Sequence, residues 1–216
     1  MKFKVIAVPI NANPQYVGLQ ETGGEERLFE EARVGPDFSN WETYYDRRQS
    51  AILDGDPRLF HRHDRSGDFD FFREAYGLLP SHHLLDYGCA TLGVGQHFVR
   101  YLDPEHYVGM DVSQKATDLG QAFVTGSDLA ERRPDLVLLK DGAFPEGYDD
   151  RFDLMIALSV FTHSPPKVVV NIMKFAHRVL KPGGVFVASV GIVEEHIVFQ
   201  GRHNFYFPKA YFLTMA

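Results

Sequence analysis

The chain has a single cysteine, Cys89, so an internal disulfide is excluded. No segment reaches membrane-spanning length, and the apolar run in the opening "MKFKVIAVPINANP" is too short and too early for a signal peptide. Positive charge is in deficit: 22 Lys and Arg stand against 29 Asp and Glu, a net charge of -7. That balance removes any general attraction to nucleic acid or to an anionic membrane surface. Repeats and low-complexity tracts are also missing. These absences predict a soluble cytoplasmic protein with no nucleic-acid and no membrane partner. What the 216 residues do supply is 44% hydrophobic side chains, enough to fill one α/β core with an appendage.

The text changes character near residue 66. Residues 1–66 hold one strand-like run, "KFKVIAV", followed by polar stretches with the turn signals "TGGEE", "VGPD" and "DGDP". Within them "SNWETYYDRRQSAILDG" predicts a helix capped by Ser39 or Asn40. This part is read as an N-terminal extension, either a lid or an edge strand. Residues 67–216 form the core, where apolar strands alternate with amphipathic helical segments. Five strands are expected, in "HLLDY", "YVGMD", "DLVLLKD", "FDLMIALSV" and "VFVASV". Ser113 is placed as the cap of one helix, Ser164 and Pro165 as cap and first residue of another, and "KPGG" as that helix's stop. The economical fold is α/β: a doubly wound, mostly parallel sheet.

Ligands of such sheets bind at the carboxyl ends of the strands. There the first core strand runs into "LLDYGCATLG", with Gly88 at its end and Gly93 and Gly95 opening the next helix. A turn of small residues before a helix offers free amides and a close backbone surface. Asp111 follows 23 residues after Gly88, where an acid can accept both hydroxyls of a ribose. Asp141 ends the third strand, placed to accept from an exocyclic adenine amine. Each has an ordinary reading beside this one: a glycine turn common to α/β proteins, a helix cap at Asp111, plain turn chemistry in "KDG". Their order and spacing favour a nucleoside lying across three strand ends.

Over about residues 81–190 the sequence resembles the class I S-adenosylmethionine-dependent methyltransferases, which implies a Rossmann-like core, S-adenosylmethionine as cofactor and methyl transfer as activity. The resemblance gives Asp86, Gly88, Cys89 and Ala90 to the methionine part, Asp111 and Val112 to the ribose, and Asp141 and Gly142 to adenine. Ser159 lies in the matching run "FDLMIALSVFTH", and "LKPGG" also falls at a family position. Two departures stand out. Ala90 replaces a second glycine, which a methyl group permits if its φ is negative. Family members also continue past the fifth strand through a helix and two antiparallel strands. Either this chain is truncated, or "KFKVIAV" and a hairpin in "HIVFQGRHNFYF" complete the sheet.

Nicotinamide binding competes weakly, since "GCATLG" lacks the middle glycine of G-x-G-x-x-G. The "SPPK" run lacks the aromatic that would stack on a nucleobase. His163, just beyond the fourth strand, is either the general base for an acceptor hydroxyl or a packing and capping residue. "HRHD" sets His61, His63 and Asp64 at ligand-like spacing, but no second cluster completes a tetrahedral set, so no metal is expected. Glu194, Glu195 and His196 form either an acceptor-facing loop or a solvated one. Trp41, Tyr44 and Tyr45 form either a lid or a satellite core. The expected reaction is O-methylation of a small molecule, a sugar or a secondary-metabolite hydroxyl. A non-catalytic cofactor-binding module is the alternative, and a homodimer is left open.

Overall fold

The computed structural model describes residues 4–9, 30–35, 37–55, 65–140, 143–200 and 204–213. Its centre is a parallel sheet of β2 (Leu84–Tyr87), β3 (Tyr107–Asp111), β4 (Asp135–Leu138), β5 (Phe152–Ala157) and β6 (Leu180–Val193), in the order β4-β3-β2-β5-β6. All nine residues of β2 and β3 are buried, as a sheet covered on both faces requires. Alternate side chains feed two cores. Leu85, Tyr87, Val108 and Met110 join one cluster, and Leu84 and Tyr107 the other. The order reverses between β2 and β5, which makes the carboxyl end of that pair the switch point of the fold.

β1 (Lys4–Pro9) pairs in parallel with β6, from Lys4 opposite Val185 to Pro9 opposite Val190. Beyond it, β7 (Val198–Gln200) and β8 (Asn204–Pro208) form an antiparallel hairpin, and β8 runs parallel to residues 191–193 of β6. "KFKVIAV" and the "HIVFQGRHNFYF" hairpin therefore both extend the central sheet.

The helices are α1 (Trp41–Gly55), α2 (Ser66–Tyr76), α3 (Gly95–Tyr101), α4 (Gln114–Thr125), α5 (Pro166–Val179) and α6 (Lys209–Leu213). α5 buries Val169, Ile172, Met173, Ala176 and Val179, the residues that its periodicity marks. Gly77 ends α2 with a left-handed φ of 60°. Ser113 caps α4 by accepting from the Ala116 amide. Two boundaries differ from expectation. Ser164 does not cap α5; its hydroxyl donates to the Val160 carbonyl, Pro165 takes the cap position and Pro166 the first turn. Nor is "KPGG" the helix stop: α5 ends at Val179, and β6 already pairs at Leu180 with Phe152, with an irregular register before Val185.

Candidate cofactor site

Gly88 leaves β2 at φ 81°, a conformation natural to glycine, and a Cβ there would lie 2.4 Å from Val160 Cγ2. The Gly88 and Cys89 amides donate to the Met110 carbonyl at 2.7 and 3.2 Å, which fixes the turn to β3. Ala90 and Leu92 then also take left-handed φ values, 47° and 67°. The condition under which a methyl group fits easily at Ala90, a negative φ, is therefore not met. What holds the turn in this conformation is visible: the Ala90 amide donates to Asp111 Oδ2 at 2.8 Å, and the Leu92 side chain is fully buried.

Asp111 is 4% exposed and also accepts the Ser113 amide on Oδ1 at 2.8 Å. Its helix-cap reading falls, because Ser113 performs the capping. An ionised carboxylate offers about four acceptor positions, so these amides leave room for a hydroxyl donor. Burial raises its pKa; the amides of Ser113, Ala90 and Val112 pull it back, and Asp46 raises it further. Val112 itself is partly buried against the first core cluster.

Asp86 lies beneath the turn. It is 1% exposed and accepts the Tyr107 hydroxyl at 2.8 Å, and burial lifts its pKa to about 6 although that bond lowers it. Tyr107 Oη in turn leaves no room for a side chain at Gly95. Cys89 is a packing residue: its thiol fills the space beside Gly109, and burial pushes its pKa well above the usual range. Asp141 and Gly142 lie outside the described residues, as do His61, His63 and Asp64.

Beyond β5, Ser159 is exposed at φ 59°, its amide donating to Ser189 Oγ at 2.6 Å. His163 ends a 3-10 turn (Phe161–His163) and is half-buried. Its carbonyl accepts the Trp41 indole at 2.5 Å, and its ring lies 5.7 Å from that of Tyr45. The cap residue of α5, Pro165, makes no side-chain cap bond. Glu194, Glu195 and His196 are exposed after β6, with His196 3.8 Å from Glu195.

The strand-end site thus has a wall that the glycine motif does not announce. α1 reaches from His163 to an ion pair between Asp54 and Lys115 at the start of α4. Burial lifts the Tyr45 pKa to about 12, with Asp111 among the charges acting on it. Trp41 and Tyr44 are buried in the first core cluster. Tyr107 and Leu92 also carry the turn yet gave no signal in the sequence, being an unremarkable strand residue and a leucine where a third small residue would fit.

A reversed parallel sheet, a turn of left-handed residues at its switch point and a buried acid on the neighbouring strand define a doubly wound, nucleoside-binding fold. Residues 85–186 match the family model of the methyltransferase domain. Over that stretch, just under half of its length, the chain is similar to the class I S-adenosylmethionine-dependent methyltransferases. It is 27% identical over 131 residues to ltbC of Aspergillus luteorubrus, itself assigned as a probable methyltransferase; the match covers 57% of this chain and 46% of that protein. The chain therefore spans under half the length of that relative. The fold is shared with the PH0226 protein of Pyrococcus horikoshii OT3 (TM-score 0.58, 15% identity, 77% of this chain and 87% of that one). It is shared as well with mmp1179 of Methanococcus maripaludis, a presumed S-adenosyl-L-methionine-dependent methyltransferase (TM-score 0.55, 14% identity, 67% and 64%). No helix among the described residues is long and apolar enough to cross a membrane.

Proposed function

We propose that this protein transfers a methyl group to a hydroxyl of a small molecule, a sugar or a secondary metabolite. The observation that carries the reading is the joining of the Gly88–Leu92 turn to Asp111 through the Ala90 amide. A buried carboxylate whose pKa is raised gains from hydroxyl donors, and a ribose supplies two side by side. The donor set therefore fits S-adenosylmethionine, which when bound supplies a methyl carbon on a sulfonium sulfur. Asp111 and Val112 would hold the ribose, Asp86, Gly88, Cys89 and Ala90 the methionine part, Asp141 and Gly142 the adenine, and Ser159 the edge near β5. At Cys89 only close backbone approach is on offer, since its thiol and amide are both committed.

The chain's own work in the reaction is alignment and proton removal. Methyl transfer to oxygen is an in-line displacement, so holding the hydroxyl in line supplies much of the rate. As the acceptor oxygen takes the methyl carbon from the bound cofactor, which leaves as the thioether, the chain would have to take up the hydroxyl proton on a base. His163, at the carboxyl end of β5 under Tyr45, is that base in this reading. α1 of the N-terminal extension acts as the lid, and β1 as an edge strand. S-adenosylhomocysteine release, screened over sugars and phenols, tests the proposal. Methyl transfer to one of them supports it. A protein that binds the cofactor but turns over none is a binding module.

A further inference from the structure

Asp46 lies on α1, whose two ends are tied down on either side of the site. Trp41 bonds the His163 carbonyl after β5, and Asp54 pairs with Lys115 just after β3. β5 and β3 are separated by β2 alone, a span of about 10 Å across the sheet. From Trp41 to Asp54 the helix rises about 20 Å, and Asp46 sits about 8 Å along it. That places Asp46 over the ends of β2 and β3, where the glycine turn and Asp111 meet. Its Oδ1 is shut off from solvent and has no hydrogen-bond partner among the described residues. A carboxylate oxygen in that condition is costly unless a donor arrives. Arg48 is buried on the same helix, but residues two apart on a helix do not face each other.

We infer that Asp46 is a second acid on the cofactor's ribose, reaching from the lid toward the hydroxyls that Asp111 holds from the sheet. This rests on the S-adenosylmethionine reading above. The charge on Asp46 is felt at Asp111, whose pKa it helps to raise, which agrees with the two lying near each other. The two hydroxyls of one diol supply the donors that both acids lack. With nothing between them they repel, so a ribose both fills and closes the lid.

The test is calorimetric titration of the parent, Asp46→Ala and Asp46→Asn with S-adenosylhomocysteine, adenosine and 2′,3′-dideoxyadenosine. Losing a hydrogen bond to a charged acceptor predicts that Asp46→Ala binds both S-adenosylhomocysteine and adenosine about 10- to 100-fold more weakly. Asp46→Asn, which keeps an oxygen acceptor and the side-chain shape, falls between, and the dideoxy compound is insensitive to either change. Undiminished binding to folded Asp46→Ala overturns the inference while leaving the cofactor reading intact. So does a loss seen with S-adenosylhomocysteine but not adenosine, which would put Asp46 on the amino-acid end. A parent that binds none of the three overturns the cofactor reading and this inference together.

Discussion

Asp86 shows how single residues here are held at a cost. Its carboxyl ionises near 3.8 in an unfolded chain and near 6 in the fold, chiefly because it is buried. Between those values the folded state keeps a proton that the unfolded chain has released, so Asp86 makes stability fall as pH rises. Above about pH 6 its contribution costs roughly 3 kcal/mol relative to the proton-bound state. His83 works the other way, since burial and the stacked His106 ring lower its pKa and acid destabilises it. The informative quantity is therefore the difference between parent and Asp86→Asn in urea unfolding at pH 5 and pH 8. Asp86→Asn should be the more stable at pH 8, with the gap narrowing toward pH 5. Equal gaps at both values would mean that Asp86 is not the titrating group. Ala90 offers a second test. Left-handed φ costs a residue with a Cβ about 1–2 kcal/mol, and glycine gives back part of that in unfolded-state entropy. Ala90→Gly should raise stability by up to about 1 kcal/mol, read as a higher urea midpoint with an unchanged slope.

At the scale of elements, α1 is the helix that joins the N-terminal part to the strand-end site. Trp41 is 3% exposed, donates to the His163 carbonyl and meets Phe38, Phe199 and Phe205 edge-on. Trp41→Ala should cost about 3–5 kcal/mol if α1 folds as one unit with the sheet. A cost under about 1 kcal/mol would show α1 to be loosely docked. Much of the remaining architecture was legible in the sequence. The five core strands and the apolar face of α5 follow from periodicity, and Ser113 follows from capping chemistry. What stayed illegible depends on contacts across the fold. Ser164 looks like a helix cap locally, yet its hydroxyl finds the Val160 carbonyl four residues back. The φ of Ala90 is set by Asp111, 21 residues away, which local text does not reveal. That Trp41 and Tyr45 meet His163, 122 residues from Trp41, is likewise absent from local text.

For the molecule as a whole, the glycine turn at the sheet's switch point, Asp111 and α1 come together at one end of the sheet. In the proposed reaction His163 is the base. His163→Ala should leave cofactor affinity nearly unchanged and slow turnover by roughly 10² to 10⁴, with the parent's pH dependence near the histidine range lost. Full activity in folded His163→Ala would remove it from the mechanism and turn attention to Glu194, Glu195 and His196. All of this presupposes the cofactor, and a single titration addresses it. The intact protein is placed in a calorimeter and titrated with S-adenosylhomocysteine, then separately with a nicotinamide dinucleotide. Saturable heat with S-adenosylhomocysteine, absent with the dinucleotide and weakened about tenfold or more in Asp111→Asn, is the predicted result. Binding of the dinucleotide with no response to S-adenosylhomocysteine would contradict the account at its centre.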